Sequence, residues 1–296
     1  MSAWRRATGA LTVFAYRLLV TLCPLIPTRT GRRIADVAGR ALFAVSVSRR
    51  ATVAANQAQV LGRAVDDPLV RASTREAFTR YARYWFDTFH VLGWSDERVV
   101  DAFRFENLEA VEKGLADGKG VLIALPHMGN WDVAGLAMAI NLTPIVSVAE
   151  HLQPEALFQL FLEHRRRLRM EIVDLASDHV GRQLRHRLER NEVVALVADR
   201  DLTGGGIEVE MFGRPRRMPI GPAMLAVSAG APLLAAPIRS TPGGWSLAFR
   251  TVSVERTGAR KQDVVALTHA LAAEFERGIA SSPPDWHLFQ PGWDPA

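Results

Sequence analysis

The run Gly120–Leu125, GVLIAL, is wholly apolar and is followed at once by a proline. Too short for a buried helix and bounded by Gly and Pro, it reads as a strand covered on both faces. Similar runs recur behind it. Residues 144–149 (PIVSVA), 171–175 (EIVDL), 192–198 (EVVALVA), 232–238 and 245–255 read as strands, and 207–212 as a further short element. Helical patterns fall between them, over 132–140, 154–169, 179–190, 221–229 and 263–280. Strands alternating with helices predict an α/β fold, with a central, mainly parallel sheet flanked by helices. The first 60 residues read as helical. Residues 72–94 form an amphipathic helix whose Phe78, Tyr81, Trp85, Phe86 and Phe89 gather toward one face, as core aromatics do. No Gly/Ser/Pro linker and no repeat divides the chain. The expected organisation is a helical segment, 1–60, packed on an α/β domain, 61–296.

Composition removes several alternatives. The chain has 296 residues, 48% hydrophobic and 23% charged, with a mean hydropathy of +0.03. That balance is too apolar for a disordered chain. No unbroken apolar stretch reaches the roughly 20 residues of a membrane-spanning helix. A single cysteine, Cys23, excludes a disulfide framework and a thiolate metal site. No metal is expected.

The charge is uneven. Residues 1–50 hold nine basic residues against one acidic, Asp36, while the remainder holds 27 basic against 30 acidic. The high pI therefore belongs to the N-terminal segment. Within it, Ala10–Ile26 reads ALTVFAYRLLVTLCPLI and is closed by Pro24 and Pro27. Arg17 near its middle would cost about 2.5–3.5 kcal/mol at a bilayer centre. No small-residue cleavage site follows the run, so it makes a poor signal peptide. An apolar helix flanked by Arg fits the plane of an anionic membrane surface, where each nearby Arg contributes about 1 kcal/mol. Packing against the body is a second reading, and the two are compatible. A nucleic-acid partner is not expected, because the basic segment is mostly apolar and carries no recognition motif.

The sharpest candidate site lies at the end of the first buried strand, in Leu125-Pro126-His127-Met128-Gly129-Asn130-Trp131-Asp132. Sites in open α/β sheets gather at the carboxyl ends of the strands. With His127 in the turn before the next helix, its ring is expected to fold over Asp132 in the first turn. A carboxylate there would fix the imidazole tautomer and stabilise the imidazolium, as removing a proton from a hydroxyl requires. The alternative is a structural histidine beside an ordinary first-turn acid.

PHMGNWD, followed in order by AEHLQPE, LEHRRRL, ADRDLTGGGIEVEMFG, MPIGPAMLA and PDWHLFQPGW, resembles the lipid-A-type acyltransferases of the lysophospholipid acyltransferase superfamily. Within them the sequence is most similar to the actinobacterial phosphatidylinositol mannoside acyltransferase branch. The resemblance runs from about residue 75 to the C-terminal motif. It implies a peripheral enzyme at the cytoplasmic face of the cell membrane. That enzyme would transfer a fatty acyl chain from acyl-CoA to a mannose hydroxyl of a membrane glycolipid, with no cofactor beyond the acyl-CoA co-substrate. His127 would be the general base and Asp132 its orienting acid. Direct attack on the thioester agrees with the lack of a GxSxG elbow. The resemblance further assigns Glu150, Arg165, Asp199, Arg200 and Asp201 to substrate binding. Relatives often carry Glu where this chain has Asp199, one methylene shorter. Gly204–Gly206 is expected as a turn or a flap, and Phe212–Pro219 resembles the family's acyl-groove and phosphate-side loop, with a basic surface loop as the other reading. Trp286 and His287 are expected to serve packing. Transfer to water, as in a thioesterase, and a non-catalytic lipid-binding scaffold are the competing functions.

Overall fold

The computed structural model describes residues 3–201 and 204–293. Leu202 and Thr203 of the ADRDLTGGG motif, and the first two residues of the expected helical segment, lie outside them. The chain begins with α1 (Ala3–Leu22), α2 (Thr28–Val45) and α3 (Val47–Leu61). Pro24 and Pro27 bracket the turn between the first two, because proline can neither donate an N–H nor fit a helix interior. The long helix α4 (Pro68–His90) starts where the Asp67 carboxylate accepts the Leu69 N–H and Pro68 takes the first turn.

The helices α2 and α4 touch through glycines. A Cβ on Gly31 would lie 1.9 Å from the Phe86 ring, and one on Gly39 would lie 2.7 Å from the Thr79 backbone. Arg83–Asp36 and Arg32–Asp87 ion pairs join the same two helices at 2.5 and 3.0 Å. In α1, Val13, Tyr16 and Val20 turn toward the body, with Tyr16 buried, and Cys23 beyond the helix is buried too. Leu11, Phe14, Leu18, Leu19, Leu22 and, beyond the helix, Leu25 remain exposed. One helix thus packs inward and leaves a second apolar face outside. No helix among the described residues is long and apolar enough to cross a membrane.

The α/β part follows as α5 (Asp96–Ala102), β1 (Phe103–Glu106), α6 (Glu109–Ala116), β2 (Val121–Leu125), α7 (Trp131–Asn141), β3 (Ile145–Ala149), α8 (Glu155–Arg167), β4 (Glu171–Asp174), α9 (Val180–Glu189) and β5 (Val193–Val197). It continues through β6 (Ile207–Met211), β7 (Arg214–Met218), α10 (Gly221–Ala229), β8 (Leu233–Ala235), β9 (Ile238–Ser240), β10 (Trp245–Ala248), β11 (Arg250–Val252) and α11 (Arg260–Ser281). Six strands form one sheet in the order β11-β8-β2-β5-β3-β4. Its neighbours pair in parallel except β11 with β8. A three-stranded sheet, β1-β10-β9, and the hairpin β6-β7 complete the mixed α/β architecture.

The six-stranded sheet buries both faces. Ile123, Leu125, Val193 and Ala195 pack toward Val133 and Ala137 of α7. Leu122, Ala124, Val194 and Leu196 pack toward Ala226 of α10 and Leu271 and Phe275 of α11. Such two-sided burial explains why these strands read as unbroken apolar runs.

Three expectations need correction. The stretch 232–238 is not one strand. The chain leaves the large sheet after Ala236, and Pro237, with no N–H to donate, separates β8 from β9 in different sheets. The stretch 245–255 likewise divides between sheets, on either side of the buried Phe249. The basic loop at Arg214–Met218 is instead a strand, with Arg216 and Met218 buried and their neighbours exposed. A buried arginine at the centre hid the period-2 pattern there. β1 had no anticipated counterpart.

Candidate active site

Parallel pairing sets the site. β2 and β5 are in register with Leu125 opposite Val197, and the ladder runs one step further as the Ala198 N–H donates to the Leu125 carbonyl. Two residues beyond that pair on each strand stand His127 and Asp199. His127 Nδ1 lies 2.5 Å from Asp199 Oδ1. An ionised carboxylate only accepts, so Nδ1 carries the proton and Nε2 is the ring's proton acceptor. Burial by itself would raise the Asp199 pKa. The charge and hydrogen bond of His127, the Trp286 N–H and the nearby Arg216 outweigh it and hold the carboxyl well below the usual range.

Asp199 is fully buried and its remaining acceptors are taken. Trp286 Nε1 donates to Oδ2 at 2.7 Å, and Arg216 donates to the backbone carbonyl at 2.6 Å. The Arg216 guanidinium also lies over the Trp286 and Trp293 rings, at 5.6 and 5.4 Å.

The acid on the imidazole is therefore Asp199 and not Asp132. Asp132 sits in the first turn of α7, buried, with Oδ2 bonded by the Tyr84 hydroxyl at 2.6 Å and Oδ1 by Arg165 Nε at 3.0 Å. Its two oxygens are bonded from α4 and α8. The Tyr84 ring lies against Trp131, tilted by 33° with centroids 4.4 Å apart, and Trp131 meets the His127 ring edge-on at 5.4 Å. Burial and the adjacent Asp132 raise the Tyr84 hydroxyl well above its ordinary pKa, so it stays a donor. Arg165, which the resemblance assigned to substrate binding, holds the Asp132 carboxylate instead. Burial alone would lower its pKa, but Asp132 raises it.

The turn between them is tight. Gly129 has a φ of +64°, and a Cβ there would come within 2.5 Å of Ile238. Asn130 closes it by accepting the Val133 N–H at the start of α7 and the Thr88 hydroxyl. Tail residues 285–287 pair with this turn. Gly129 N–H donates to the Asp285 carbonyl at 3.0 Å, and His287 N–H to the His127 carbonyl at 2.7 Å. The His287 Nε2 donates to the Gly129 carbonyl at 3.0 Å. Burial lowers the His287 pKa to about 4, so that ring is neutral. Expected as packing, Trp286 and His287 both hydrogen-bond into the site.

The other expected residues lie around the same sheet edge. Glu150 follows the last residue of β3 and is exposed. Arg200 is half-buried, and its Nε has no partner among the described residues. Asp201 accepts the N–H groups of Gly204 and Gly206 at 3.0 and 2.8 Å, which orders the glycine turn. Tyr84 and Trp286 were not singled out as site residues. An aromatic among core aromatics carries no local signal that its polar tip reaches a carboxylate.

An apolar cavity of about 50 Å³ runs under α7, lined by Leu125, Trp131, Gly135, Ala195, Val197 and Phe249 among others, with Asp132 and Arg165 at its polar part. It is narrow, with room for only a few water-sized spheres. Its walls are the first sheet face, and Trp131 joins it to the His127 side.

The sequence matches the family described as bacterial lipid A biosynthesis acyltransferase over residues 2–294. A phosphatidylinositol mannoside acyltransferase of Mycobacterium tuberculosis (strain ATCC 25618 / H37Rv) is 40% identical over 250 residues, covering 80% of this chain and 75% of the relative. One of Mycolicibacterium smegmatis (strain ATCC 700084 / mc(2)155) is 37% identical over 243 residues, covering 80% and 77%.

Proposed function

Because the chain belongs to the bacterial lipid A biosynthesis acyltransferase family, it is an acyltransferase, and we propose that it moves a fatty acyl chain from acyl-CoA to a mannose hydroxyl of a phosphatidylinositol mannoside. The observation that carries the mechanism is the His127 Nδ1–Asp199 bond, which leaves Nε2 as a base at the sheet's carboxyl edge. Nε2 takes the proton of the sugar hydroxyl. The oxygen attacks the thioester carbonyl, a C–O bond forms, and the tetrahedral intermediate expels the coenzyme A sulfur. The imidazolium returns its proton to that sulfur. Asp199 stabilises the imidazolium throughout, and no acyl-enzyme forms.

Asp132 serves at one remove. Paired with Arg165 and Tyr84, it fixes the first turn of α7 and with it Trp131, the residue shared by the His127 ring and the cavity. The narrow apolar slot under α7 suits the start of an extended acyl chain. Glu150, exposed at the rim, is available to sugar hydroxyls, and Arg200 to an anionic part of either substrate. Asp201 contributes by ordering the glycine turn. Residues 1–60 form the membrane-associating segment and 61–296 the acyltransferase domain. The exposed apolar face of α1, with the exposed Arg17, Arg29 and Arg33 near it, supports docking on anionic lipid from the cytoplasmic side.

The test is mass spectrometry of the products from palmitoyl-CoA and a panel of lipid acceptors. The acylated phosphatidylinositol mannoside is expected, and His127→Ala should lower its rate about 10²–10⁴-fold with folding intact. Consumption of palmitoyl-CoA with no acceptor acylated would replace the reading by a thioesterase. A fully active His127→Ala would remove the mechanism.

A further inference from the structure

We propose that Trp286 is a positioning residue of the reaction: its indole N–H holds Oδ2 of Asp199 so that Oδ1 alone faces His127, making the pair a chain of three, Trp286–Asp199–His127. The inference rests on the acyl-transfer reading of His127 given above.

Four observations carry it. First, the contact is short, 2.7 Å, and its acceptor is a fully buried carboxylate. A hydrogen bond to a charged, desolvated group is stronger than one between neutral groups. Second, the bond is not something every buried tryptophan here obtains. The indole N–H groups of Trp94 and Trp293 are buried and meet no partner among the described residues. Third, the segment carrying Trp286 is fastened to the segment carrying His127. The backbones of Met128 and Trp286 form an antiparallel bridge, so base and positioning group share one local frame. Fourth, the tail is anchored from the helical side. Asn56 of α3 bonds the Leu288 and Gln290 carbonyls and the Gly292 N–H. Arg80 of α4 meets Asp285 at 2.8 Å.

A carboxylate with one free oxygen can rotate about its Cβ–Cγ bond. With Oδ2 bonded to the indole and the main chain held by Arg216, Asp199 has one orientation, and Oδ1 points at Nδ1. The bond also draws charge away from the carboxylate. Losing it leaves more negative charge opposite the ring, which favours the imidazolium, so less of the ring is present as free base at a given pH. The charged and titratable groups around the pair are Arg216 from β7, His287 and Asp285 from the tail, Arg80 from α4, and the Asp132–Arg165 pair of α7 and α8. None of them is altered by replacing the indole with a phenyl ring, which keeps an aromatic surface beneath Arg216.

The experiment compares the full-length chain with Trp286→Phe, following acylation of a phosphatidylinositol mannoside by palmitoyl-CoA across pH. The expected result is a kcat lower by about 10- to 100-fold, a KM for palmitoyl-CoA close to the wild-type value, and an acid limb of kcat/KM moved to higher pH. Packing alone would not move that limb. An unchanged kcat, or a reduced kcat with the limb in place, overturns the proposal. Should Trp286→Phe fail to fold, the wild-type chain labelled with 15N at the indole nitrogens decides. A Trp286 N–H resonance that titrates at the midpoint of the acid limb supports the chain of three, and a pH-invariant one overturns it. His127→Ala run alongside separates the two levels. A dead His127→Ala with an unmoved limb in Trp286→Phe sinks the positioning role only, whereas an active His127→Ala sinks the acyl-transfer mechanism and this inference with it.

Discussion

Two buried aspartates flank the turn that carries His127, and they are built from different parts of the chain. Asp132 is five residues from His127, yet its oxygens bond Tyr84 of α4 and Arg165 of α8. Asp199 is 72 residues away, yet it bonds the imidazole directly. Each accepts two side-chain donors, so neither is left as an uncompensated charge. The difference lies in what the donors do. Tyr84 and Arg165 are not proton acceptors at neutral pH, and their grip on Asp132 ties three helices together. In the proposed reaction His127 exchanges a proton, and Asp199 follows its charge. On that proposal one region holds shape and the other handles the proton. Closeness along the chain favoured the wrong partner, because a helix turn and a strand end point side chains in different directions.

The largest expected effect separates the two acids by activity. Asp199→Asn should lower kcat about 10²–10⁴-fold, since a neutral amide favours the wrong imidazole tautomer and cannot stabilise the imidazolium. Its thermal midpoint should change far less than its rate. A turnover near wild type would make the two aspartates equivalent and end the distinction.

Asp132→Ala should do the reverse in kind. It strands Arg165 in a buried site without its carboxylate, and breaking such a pair costs about 3–5 kcal/mol. Urea unfolding of Asp132→Ala beside Asp199→Asn measures this. Equal losses of stability would contradict the assignment of the structural role to Asp132.

The smallest effect uses the neutral histidine beside each region. Burial lowers the pKa of His164, next to Arg165, to about 4, and of His287, next to Trp286, also to about 4. A histidine whose folded value lies below its unfolded value of about 6.5 takes up its proton more readily when unfolded. Stability is therefore full above pH about 6.5 and falls as the pH drops toward 4. Among the described residues His164 has no hydrogen-bond partner on either ring nitrogen, and it packs against Tyr16 and Phe89. His164→Phe should remove its share of that loss, up to about 3 kcal/mol between pH 6.5 and 4. Parallel pH–stability curves for the variant and the wild type would show that the ring is not held neutral.

Much of the fold is written locally. The unbroken apolar strands 121–125 and 193–197 are legible because both faces of the sheet are covered. Helices are legible where caps and prolines mark their starts, as at Asp67-Pro68. The failures have physical causes. Pro237 and Phe249 sit inside apolar stretches that look continuous, and only the competition between two sheets divides them. Arg216 breaks the alternation of β7 because its burial is offset by a carbonyl and two indole rings distant in sequence. In the site, His127 stood out by following a buried strand, whereas Tyr84 and Trp286 looked like core.

The sequence by itself determined the strand on which the histidine stands, the order of the motifs around it, and the kinship that makes the chain an acyltransferase, because these depend on residue type and spacing along the chain. Which carboxylate meets the imidazole, and which indole holds that carboxylate, only the tertiary structure decided. Hydrogen bonds depend on direction and on distances of about 3 Å, and strand register and the returning tail set both across separations that no local pattern encodes.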